Sequence, residues 1–333
     1  MAPNNQTIAL PNGAMMTSMQ QFLNAAPGTD ARSLRPHLGL HQNGLLRKDE
    51  WSEIDSAVVE TVKTGLVGVQ DLMSQGLTKK LGGLGTLLSG YEQIGEMTAA
   101  NVAMDADVPG QEDNLEFGDV YVPIPIIFKD FRVSLRKLEA SRKLGETIDT
   151  SSAKAATRVV REAMENMIFA GHAKQLAGYQ IEGYTDATYR ITDTAVGDFA
   201  TAGNAYKTVV KALNALNALG FNGPFMVYLA STQYGETLNL IDPTSGRSER
   251  DVIKANIPDL IDIKRSFDLT AGHMVMVQMT SDVVDLAIGA DVQAIQWQEM
   301  GGMIFKYRVM SAMAPRVKYD ANLRTGVLHY TGC

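Results

Sequence analysis

Several features that define other classes of protein are scarce or missing in this sequence. It contains one cysteine, Cys333, which excludes an intrachain disulfide framework and a cysteine-based metal site and fits a reducing compartment. No run of 18 apolar residues occurs, so we predict no transmembrane helix. Residues 1–16 lack the basic and apolar regions of a signal peptide. With 45% hydrophobic and 20% charged residues, the chain is predicted to be globular.

A basic excess is also missing. The chain has 30 basic and 37 acidic residues, a net charge of −7. Proteins that grip nucleic acid usually carry a basic surface, because contacts to phosphate dominate that affinity. The sequence therefore predicts no tight or specific DNA binding. Enclosing DNA remains compatible with it, since a weakly acidic wall does not trap the polymer.

Catalytic signatures are absent as well. None of the common motifs of serine hydrolases, zinc proteases or dinucleotide-binding enzymes occurs, and there are only five histidines. His37 and His41 would face a metal together on a helix, but Pro36 and Gly39 interrupt the segment and no third ligand is near. We predict no catalytic residue, cofactor or metal. A cytosolic α/β enzyme with its site in residues 200–290 is the alternative from another class.

The first 45 residues form a compositional unit of their own. They are rich in Asn, Gln, Pro, Gly and Ala and show no sustained hydrophobic periodicity. Such a segment cannot bury enough apolar surface to fold alone. We expect residues 1–45 to cross onto adjacent subunits, the alternative being an arm folded back on its own domain.

A helix and a long hairpin follow. Apolar residues recur every three or four positions between Asp49 and Gly76, which predicts a helix. Residues 91–104 and 119–135 have strand character and are joined by an acidic, turn-rich connection. Prolines in the second strand cannot donate ladder hydrogen bonds, so this strand belongs at an edge or in a bent ribbon.

The clearest helix is predicted from Ser151 to Ala170, ended by Gly171. We expect Val159, Ala163 and Met167 to share a face that packs on a sheet near residues 128–135 and 303–313. The whole predicted apolar stripe is Ala156, Val159, Val160, Ala163, Met164, Met167 and Ile168. The predicted polar face is Lys154, Arg158, Arg161, Glu162 and Glu165.

Beyond residue 200 the pattern alternates between helix and strand. Helices are predicted at 204–219 and 232–240 around a buried strand, Phe225–Ala230, and a polar loop is predicted at 242–250. Further strands are predicted near 260–263, 273–279, 283–288, 292–297, 303–313 and 326–330.

One stretch resembles a known family. Arg158–Gly171 carries a Glu-Asn pair that runs into Ile-Phe-Ala-Gly, and Gln180-Ile181-Glu182-Gly183 follows after a short loop. This is similar to the end of the long spine helix in encapsulins and related phage capsid proteins, where Ile-Phe-x-Gly precedes Gly-Ile-x-Gly. The order of predicted elements over residues 45–330 matches as well.

The resemblance implies the Hong Kong ninety-seven phage capsid fold, an α+β architecture. It implies an N-terminal arm, a long hairpin called the E-loop, a peripheral domain containing the spine helix, and an α/β axial domain. The implied boundaries are 1–45 for the arm, 46–90 for the N-terminal helix and linker, 91–130 for the E-loop, 131–200 with 291–333 for the peripheral domain, and 201–290 for the axial domain.

The function implied is that of a tailed-bacteriophage major capsid protein, a structural protein that is not an enzyme. Copies would form hexamers and pentamers of an icosahedral virion capsid enclosing double-stranded DNA, assembled in the cytoplasm of the host bacterium. Scaffolding, decoration and portal proteins are further candidate partners. The 45-residue arm and the larger axial domain depart from encapsulins and favour a viral shell. An encapsulin-type nanocompartment is the alternative.

Charged residues near the hairpin are the candidate assembly site. We expect acids at its tip to meet basic residues of the neighbouring subunit's peripheral domain. The acids are Asp105, Asp107, Glu112, Asp113 and Glu116, and the basic residues are Arg132, Arg136, Arg142 and Lys143. Lys129 lies at the hairpin base, so the Lys–Asn crosslink of some relatives of this fold is not expected.

Overall fold

The computed structural model describes residues 67–94, 117–144, 150–242, 246–300 and 303–333, together with Ile54, residues 56–58 and two short extended pieces near the N-terminus. The chain divides into two compact units. The first comprises Met1–Thr61, Asp130–Ala156 and Ala294–Arg308, and the second comprises Val62–Lys129, Thr157–Gln293 and Val309–Cys333. None of the described helices is long and apolar enough to cross a membrane.

Among the described residues, Ile54 and residues 56–58 are helical. The later helices are α1 (Gly68–Ser74), α2 (Leu135–Leu144), α3 (Ser151–Ala170), α4 (Asn204–Ala218), α5 (Ser231–Glu236) and α6 (Glu249–Asn256). The strands are β1 (Ile8–Ala9), β2 (Met15–Met16), β3 (Thr78–Lys80), β4 (Leu88–Ile94), β5 (Phe117–Pro123), β6 (Ile126–Ser134), β7 (His172–Leu176), β8 (Tyr179–Ile181), β9 (Ile191–Thr194), β10 (Phe225–Ala230), β11 (Leu240–Asp242), β12 (Arg247–Ser248), β13 (Leu260–Ser266), β14 (His273–Gln278), β15 (Val284–Glu299), β16 (Ile304–Val317) and β17 (Val327–Thr331).

A five-stranded sheet of order β13-β10-β14-β17-β9 forms the larger core. β10 is parallel to β13 and antiparallel to β14, which continues antiparallel into β17. Every residue of β10 is buried, as expected for an uninterrupted apolar run in a sheet covered on both faces. Helix α4 presents Val209, Ala212 and Leu216 to this core, and α6 contributes Ile253.

A four-stranded sheet has the order β3-β15-β16-β6, with β6 at one edge. The sequence predicted such an edge position from Pro123 and Pro125, and this is confirmed. Residues 124 and 125 separate β5 from β6, so the predicted continuous strand over 119–135 is broken there. The strands predicted at 283–288 and 292–297 are a single long strand, β15.

The spine helix α3 has the predicted bounds, and Gly171 ends it with φ +66°. The predicted buried face is wrong in phase. Val159 is 46% exposed and Ala163 is exposed, whereas Met167 is buried as expected. Apolar residues come in adjacent pairs along this helix, so sequence alone left the stripe's direction uncertain by one residue. The buried residues lie four positions apart, at Ala156, Val160, Met164 and Ile168. Val160 and Met164 are the second residues of the adjacent pairs at 159–160 and 163–164.

The packing partners of Met167 differ in part from those expected. Its side chain lies in a cluster with Val122, Ile124, Ile181 and Ala287, which also includes Ala312 and Ala314 of β16. The sheet contact is therefore made through β15 and β16. On the outer face, Arg158 and Glu162 form the predicted pair, with 2.7 Å between Nε and Oε1.

The region predicted as a polar loop at 242–250 contains ordered elements. β12 leads into α6, whose N-cap is Ser248, and the Ser248 hydroxyl oxygen accepts a hydrogen bond from the Asp251 N–H at 3.2 Å. Ser followed three residues later by an acid is a helix-start signal, so the sequence contained the evidence. The helix predicted at 232–240 is shorter, ending at Glu236.

Candidate functional site

The five acids of the predicted hairpin tip lie in residues 95–116, outside the described residues. Arg132 on β6 and Arg136 on α2 are exposed. Arg142 and Lys143 belong to the last turn of α2, where only the backbone is described. The contact between the acids and these basic residues therefore stays a prediction.

The stem of the hairpin is described, and it is regular. β4 and β5 pair antiparallel from Leu88↔Pro123 at the base to Ile94↔Phe117 toward the tip. Tyr91 at mid-stem stacks edge-on against Tyr319, which in turn contacts Tyr189 with 4.6 Å between ring centroids. Burial is the main cause that raises the pKa of Tyr91 above its ordinary value.

A buried guanidinium anchors the base of this stem. Arg316 on β16 is 2% exposed and donates through Nε to Asp285 Oδ1 at 2.6 Å. Its Nη1 donates to the Ser89 hydroxyl and to the Gly90 carbonyl, both at 3.0 Å. The Lys318 ammonium lies 2.7 Å from the second oxygen of Asp285. Each of these buried charges has a partner of opposite charge. The hydrogen bonds of Arg316 therefore hold the stem against the sheet and leave no buried ion unpaired in this network.

Sequence reasoning missed this network because no local pattern marks it. Arg316 and Ser89 are 227 residues apart. The available signal was an arginine inside the otherwise apolar run of β16, since arginine is almost never fully buried without a partner.

A second anchor holds α1 to the spine helix. Glu165 is 5% exposed and accepts hydrogen bonds from the N–H groups of Val67, Gly68 and Val69 at 3.0, 2.7 and 3.4 Å. Burial raises the pKa of Glu165, while the three N–H donors oppose that shift. The carboxylate thus caps the positive end of α1. The prediction that placed Glu165 on the solvated face is wrong, because the three hydrogen bonds of this cap offset the cost of burying the carboxylate.

Asp71 of α1 makes further buried polar contacts. It is 2% exposed, accepts from the Tyr228 hydroxyl at 2.9 Å, and pairs with the Lys264 ammonium. The Tyr228 ring packs edge-on against Phe169 of the spine helix, at 5.1 Å between centroids. Within the second compact unit, α1 is therefore fixed by charge as well as by apolar packing.

The glycines of the resembling motif have a steric role. A Cβ on Gly171 would lie 2.5 Å from the Ile181 carbonyl oxygen, and one on Gly183 would lie 2.3 Å from the Gly171 nitrogen. The Tyr184 N–H donates to the Ile168 carbonyl at 2.9 Å across the same contact. Close backbone approach therefore explains why the helix end and the following loop both carry glycine.

In the first compact unit, the sheet surface carries a ladder of charged and aromatic side chains. Arg308 pairs with Asp130 through two hydrogen bonds of 2.7 and 2.8 Å and lies over the Trp297 ring at 5.4 Å. Glu299 accepts from the Trp297 indole N–H at 3.1 Å and pairs with Lys306 at 2.7 Å. This surface is held in a defined arrangement and is accessible.

Chemistry-bearing groups elsewhere are sparse. No cluster of three metal-ligating side chains occurs in the described part of the chain, and His37 and His41 lie outside it. His273 Nδ1 and His329 Nε2 are 2.8 Å apart on neighbouring strands. Burial, together with His273, lowers the pKa of His329 to about 4. This pair is a polar contact between β14 and β17 of the core sheet.

Comparison with known proteins identifies the family. The family described as "Encapsulating protein for peroxidase" (Linocin_M18) matches residues 41–314. The chain belongs to this family. The match includes the spine helix, the hairpin and the chain from there into β16.

Two relatives extend over most of the chain. The type 1 encapsulin shell protein EncA of Myxococcus xanthus is 28% identical over 282 residues, covering 84% of this chain and 92% of EncA. A diheme-cytochrome-encapsulin shell fusion protein of Kuenenia stuttgartiensis is 26% identical over 275 residues, covering 82% of this chain and 71% of the fusion. Encapsulin shell proteins are structural proteins.

Solved structures agree on the fold. A virus-like particle from Pyrococcus furiosus aligns with a TM-score of 0.64 at 17% identity, covering 84% of this chain and 98% of that one. The capsid of Myoviridae phage XM1 aligns with a TM-score of 0.61 at 14% identity, covering 81% and 92%. The predicted α+β capsid fold is confirmed.

The expected tailed-phage identity is supported only as a shell-forming, capsid-like protein of the encapsulin family. The arm and the larger axial region were the grounds for preferring a virus. Surface segments vary in length within a family because they carry few core contacts, so those departures were weak evidence. The comparisons favour the encapsulin alternative.

Proposed function

We propose that this chain is the shell subunit of an encapsulin-type nanocompartment. Many copies would assemble into a closed protein shell, and the subunit itself would perform no catalysis. The family match over residues 41–314, on a capsid-like fold, is the observation that carries this proposal. We place assembly in the cytoplasm of the cell that makes the protein.

The anchored elements support assembly. The hairpin stem β4–β5 is anchored at its base by Arg316, and a long hairpin needs another surface to lie on. In the pentamers or hexamers of a closed shell, a neighbouring copy would supply that surface. Obligate interfaces of this kind bury on the order of 2,000–5,000 Å². We also propose that the subunit has the five domains given in the sequence analysis: the arm, the N-terminal helix with its linker, the E-loop, the peripheral domain and the axial domain.

The content of the shell is proposed to be protein. The family description names a peroxidase, and the name of the Kuenenia relative includes a diheme cytochrome. A redox enzyme is therefore the proposed class of cargo. The net charge of −7 favours a protein content over tightly bound nucleic acid.

A tailed-phage capsid is the second candidate, favoured by the likeness to the phage XM1 capsid. Under that function the shell would enclose double-stranded DNA and recruit portal, scaffolding or decoration proteins. Shell size and content distinguish the two candidates.

The experiment is expression of the chain alone, followed by size-exclusion chromatography, electron microscopy and the ratio of absorbance at 260 and 280 nm. We expect small closed shells free of nucleic acid, and in a second expression together with a redox enzyme we expect the shells to take up that enzyme. Large shells containing DNA would favour the phage function. A stable monomer or dimer whose melting temperature responds to a small ligand would revive the enzyme alternative.

The tip contact is proposed to operate between copies. Exposed ion pairs contribute about 0–1 kcal/mol each, so the effect depends on many copies. Raising the salt concentration should loosen assembly, and reversing the charge of Asp105 and Asp107 should loosen it further. Shells indifferent to both changes would show that the tip makes no ionic contact.

A further inference from the structure

One edge of β15 is open. The strand runs from Val284 to Glu299 and is paired with β16 on one side, while on the other side β3 covers only Leu286–Ile288. Within the part of the chain that the structure describes, no strand pairs with Ala294–Glu299 on that second side. Unpaired N–H and C=O groups along a strand edge are a template for another strand.

The pairing with β3 shows which residues face the open side. The Leu286 N–H donates to the Leu77 carbonyl at 2.9 Å, and the Ile288 carbonyl accepts from the Leu81 N–H at 2.8 Å. In a strand, both polar backbone groups of one residue point to the same side, and successive residues alternate. Ala287 and Ala290 lie in one apolar cluster, so the alternation is interrupted near Gly289. On both sides of this interruption, odd-numbered residues of β15 lie on the face of even-numbered residues of β16, as Ala287 does with Ala312 and Trp297 does with Arg308. The alternation beyond the interruption therefore assigns the open groups to Ala294, Gln296 and Gln298.

The stretch Ala294–Gln298 lacks the charged residues that two other sheet edges carry. The β6 edge carries Asp130 and Arg132, and the β13 edge carries Lys264 and Arg265. Charged residues on an edge prevent pairing with foreign strands. Ala294–Gln298 contains no charge and no proline, which is typical of an edge that is covered in the working protein.

The surroundings of the edge also favour an added strand. Ile295 is 43% exposed and, with Trp297, forms an apolar strip along the strand. The Gln298 side-chain nitrogen is buried and has no acceptor among the described residues. A buried donor without an acceptor is rare in native proteins, and a neighbouring strand would bring carbonyl oxygens to this place.

We propose that the N-terminal arm of a neighbouring copy adds a strand to Ala294–Gln298, and we assign the added strand to Ala14–Leu23. This inference rests on the proposed shell function, since it needs adjacent copies. Residues 1–29 contain no charged side chain, and Ala14–Leu23 contains no proline. The segment includes the extended pair Met15–Met16. In the added strand, the glutamines and Phe22 of this segment would lie opposite the Gln and Trp side chains of the edge and form favourable cross-strand pairs with them.

Two arguments favour a neighbouring copy as the source of the added strand: the length of the arm, and the repetition of contacts in a closed shell. An arm of about 45 residues, if fully extended, could span up to ~150 Å, which is long enough to reach an adjacent copy. Exchange of a strand gives every copy one donor segment and one acceptor edge, and such heterologous contacts propagate around a closed shell. The arm of the same chain is the competing source, and the first test separates the two.

Cysteine crosslinking in assembled shells is the first test. Gln296→Cys is combined in turn with cysteines at Met15, Thr17, Met19 and Gln21, and shells are oxidised mildly and run on non-reducing gels. We expect at least one pair to give a ladder of covalent multimers. Val159→Cys with the same arm positions is the control and should give none, and native Cys333 is buried. Monomers only, or internally crosslinked monomers, would overturn the inference.

Backbone blocking is the second test. Gln296→Pro removes an N–H that faces outward, which an open edge tolerates but a paired edge does not. Gln296→Val keeps the N–H and is the matched control. We expect Gln296→Pro and deletion of residues 1–29 each to lower shell yield, and the double variant to be no worse than the poorer single variant. Additive losses would refute the docking site, whereas failure of the unaltered chain to form shells would refute the proposed function instead.

Discussion

Glu165 provides the sharpest test of how the N-terminal region is held. Replacing it with alanine removes the acceptor for the N–H groups of Val67 and Gly68, at 3.0 and 2.7 Å, and for the longer contact to Val69. The side chain is 5% exposed, so solvent does not readily replace it. We expect Glu165→Ala to loosen α1 from the spine helix.

The magnitude follows from the groups left without partners. A buried donor that loses its acceptor costs about 1–3 kcal/mol, and two well-formed bonds are lost. Release of the buried carboxylate, whose pKa burial raises, offsets part of this cost, as would a water entering the space. We therefore expect a loss of about 3 kcal/mol. Glu165→Gln retains one acceptor oxygen, and because Oε1 alone accepts both short hydrogen bonds we expect this variant to lose only about 1 kcal/mol.

Hydrogen exchange measured by mass spectrometry on assembled shells is the assay. About 3 kcal/mol corresponds to roughly a hundredfold faster exchange for amides at the start of α1, if they exchange by local opening. Glu162→Ala is the matched control one turn earlier, because this residue is exposed and its pair with Arg158 is worth a few tenths of a kcal/mol. Equal exchange in the two alanine variants would refute the capping argument.

Three further predictions concern the core. Met167→Ala should destabilise by ~2–5 kcal/mol through lost burial and a cavity, whereas Val159→Ala, at an exposed site of the same helix, should change stability by about 0.5 kcal/mol or less; urea midpoints at equal protein concentration test both, and equal effects would contradict the observed helix face. Arg316→Met should cost about 3 kcal/mol by leaving Asp285 with a single cationic partner, and unchanged amide protection of β4 would contradict the stem anchor. Because the pKa of His329 falls to about 4 from 6.5, the unfolded chain binds more protons between those values, so stability should fall as pH drops through that window. His329→Gln should flatten that profile, and an unchanged slope would show that other groups control it.

Local signals in the sequence were sufficient for much of the secondary structure. The bounds of α3 and β10 follow from residue periodicity and an apolar run, and Gly171 ends its helix as predicted, at positive φ. These signals work because a helix or a buried strand leaves its period in neighbouring residues. The break at residues 124–125 follows from proline for the same local reason.

The direction in which the spine helix faces was not local information. Adjacent apolar pairs such as Val159 and Val160 allow two stripes about 100° apart, and only the packing of neighbouring elements selects one. Glu165 looked like a solvated residue because its three donors lie 96 to 98 positions earlier in the chain.

By itself the sequence determined the class of the molecule: a globular chain with one cysteine, no catalytic motif, and a helix end that resembles the capsid fold. The tertiary structure decided which charges are buried, as with Arg316 beside Asp285 and Ser89, and which strand edge lies open along β15. The physical reason is that composition and periodicity are properties of nearby residues. Compensation of a buried charge and pairing of a strand depend on groups that only folding brings together.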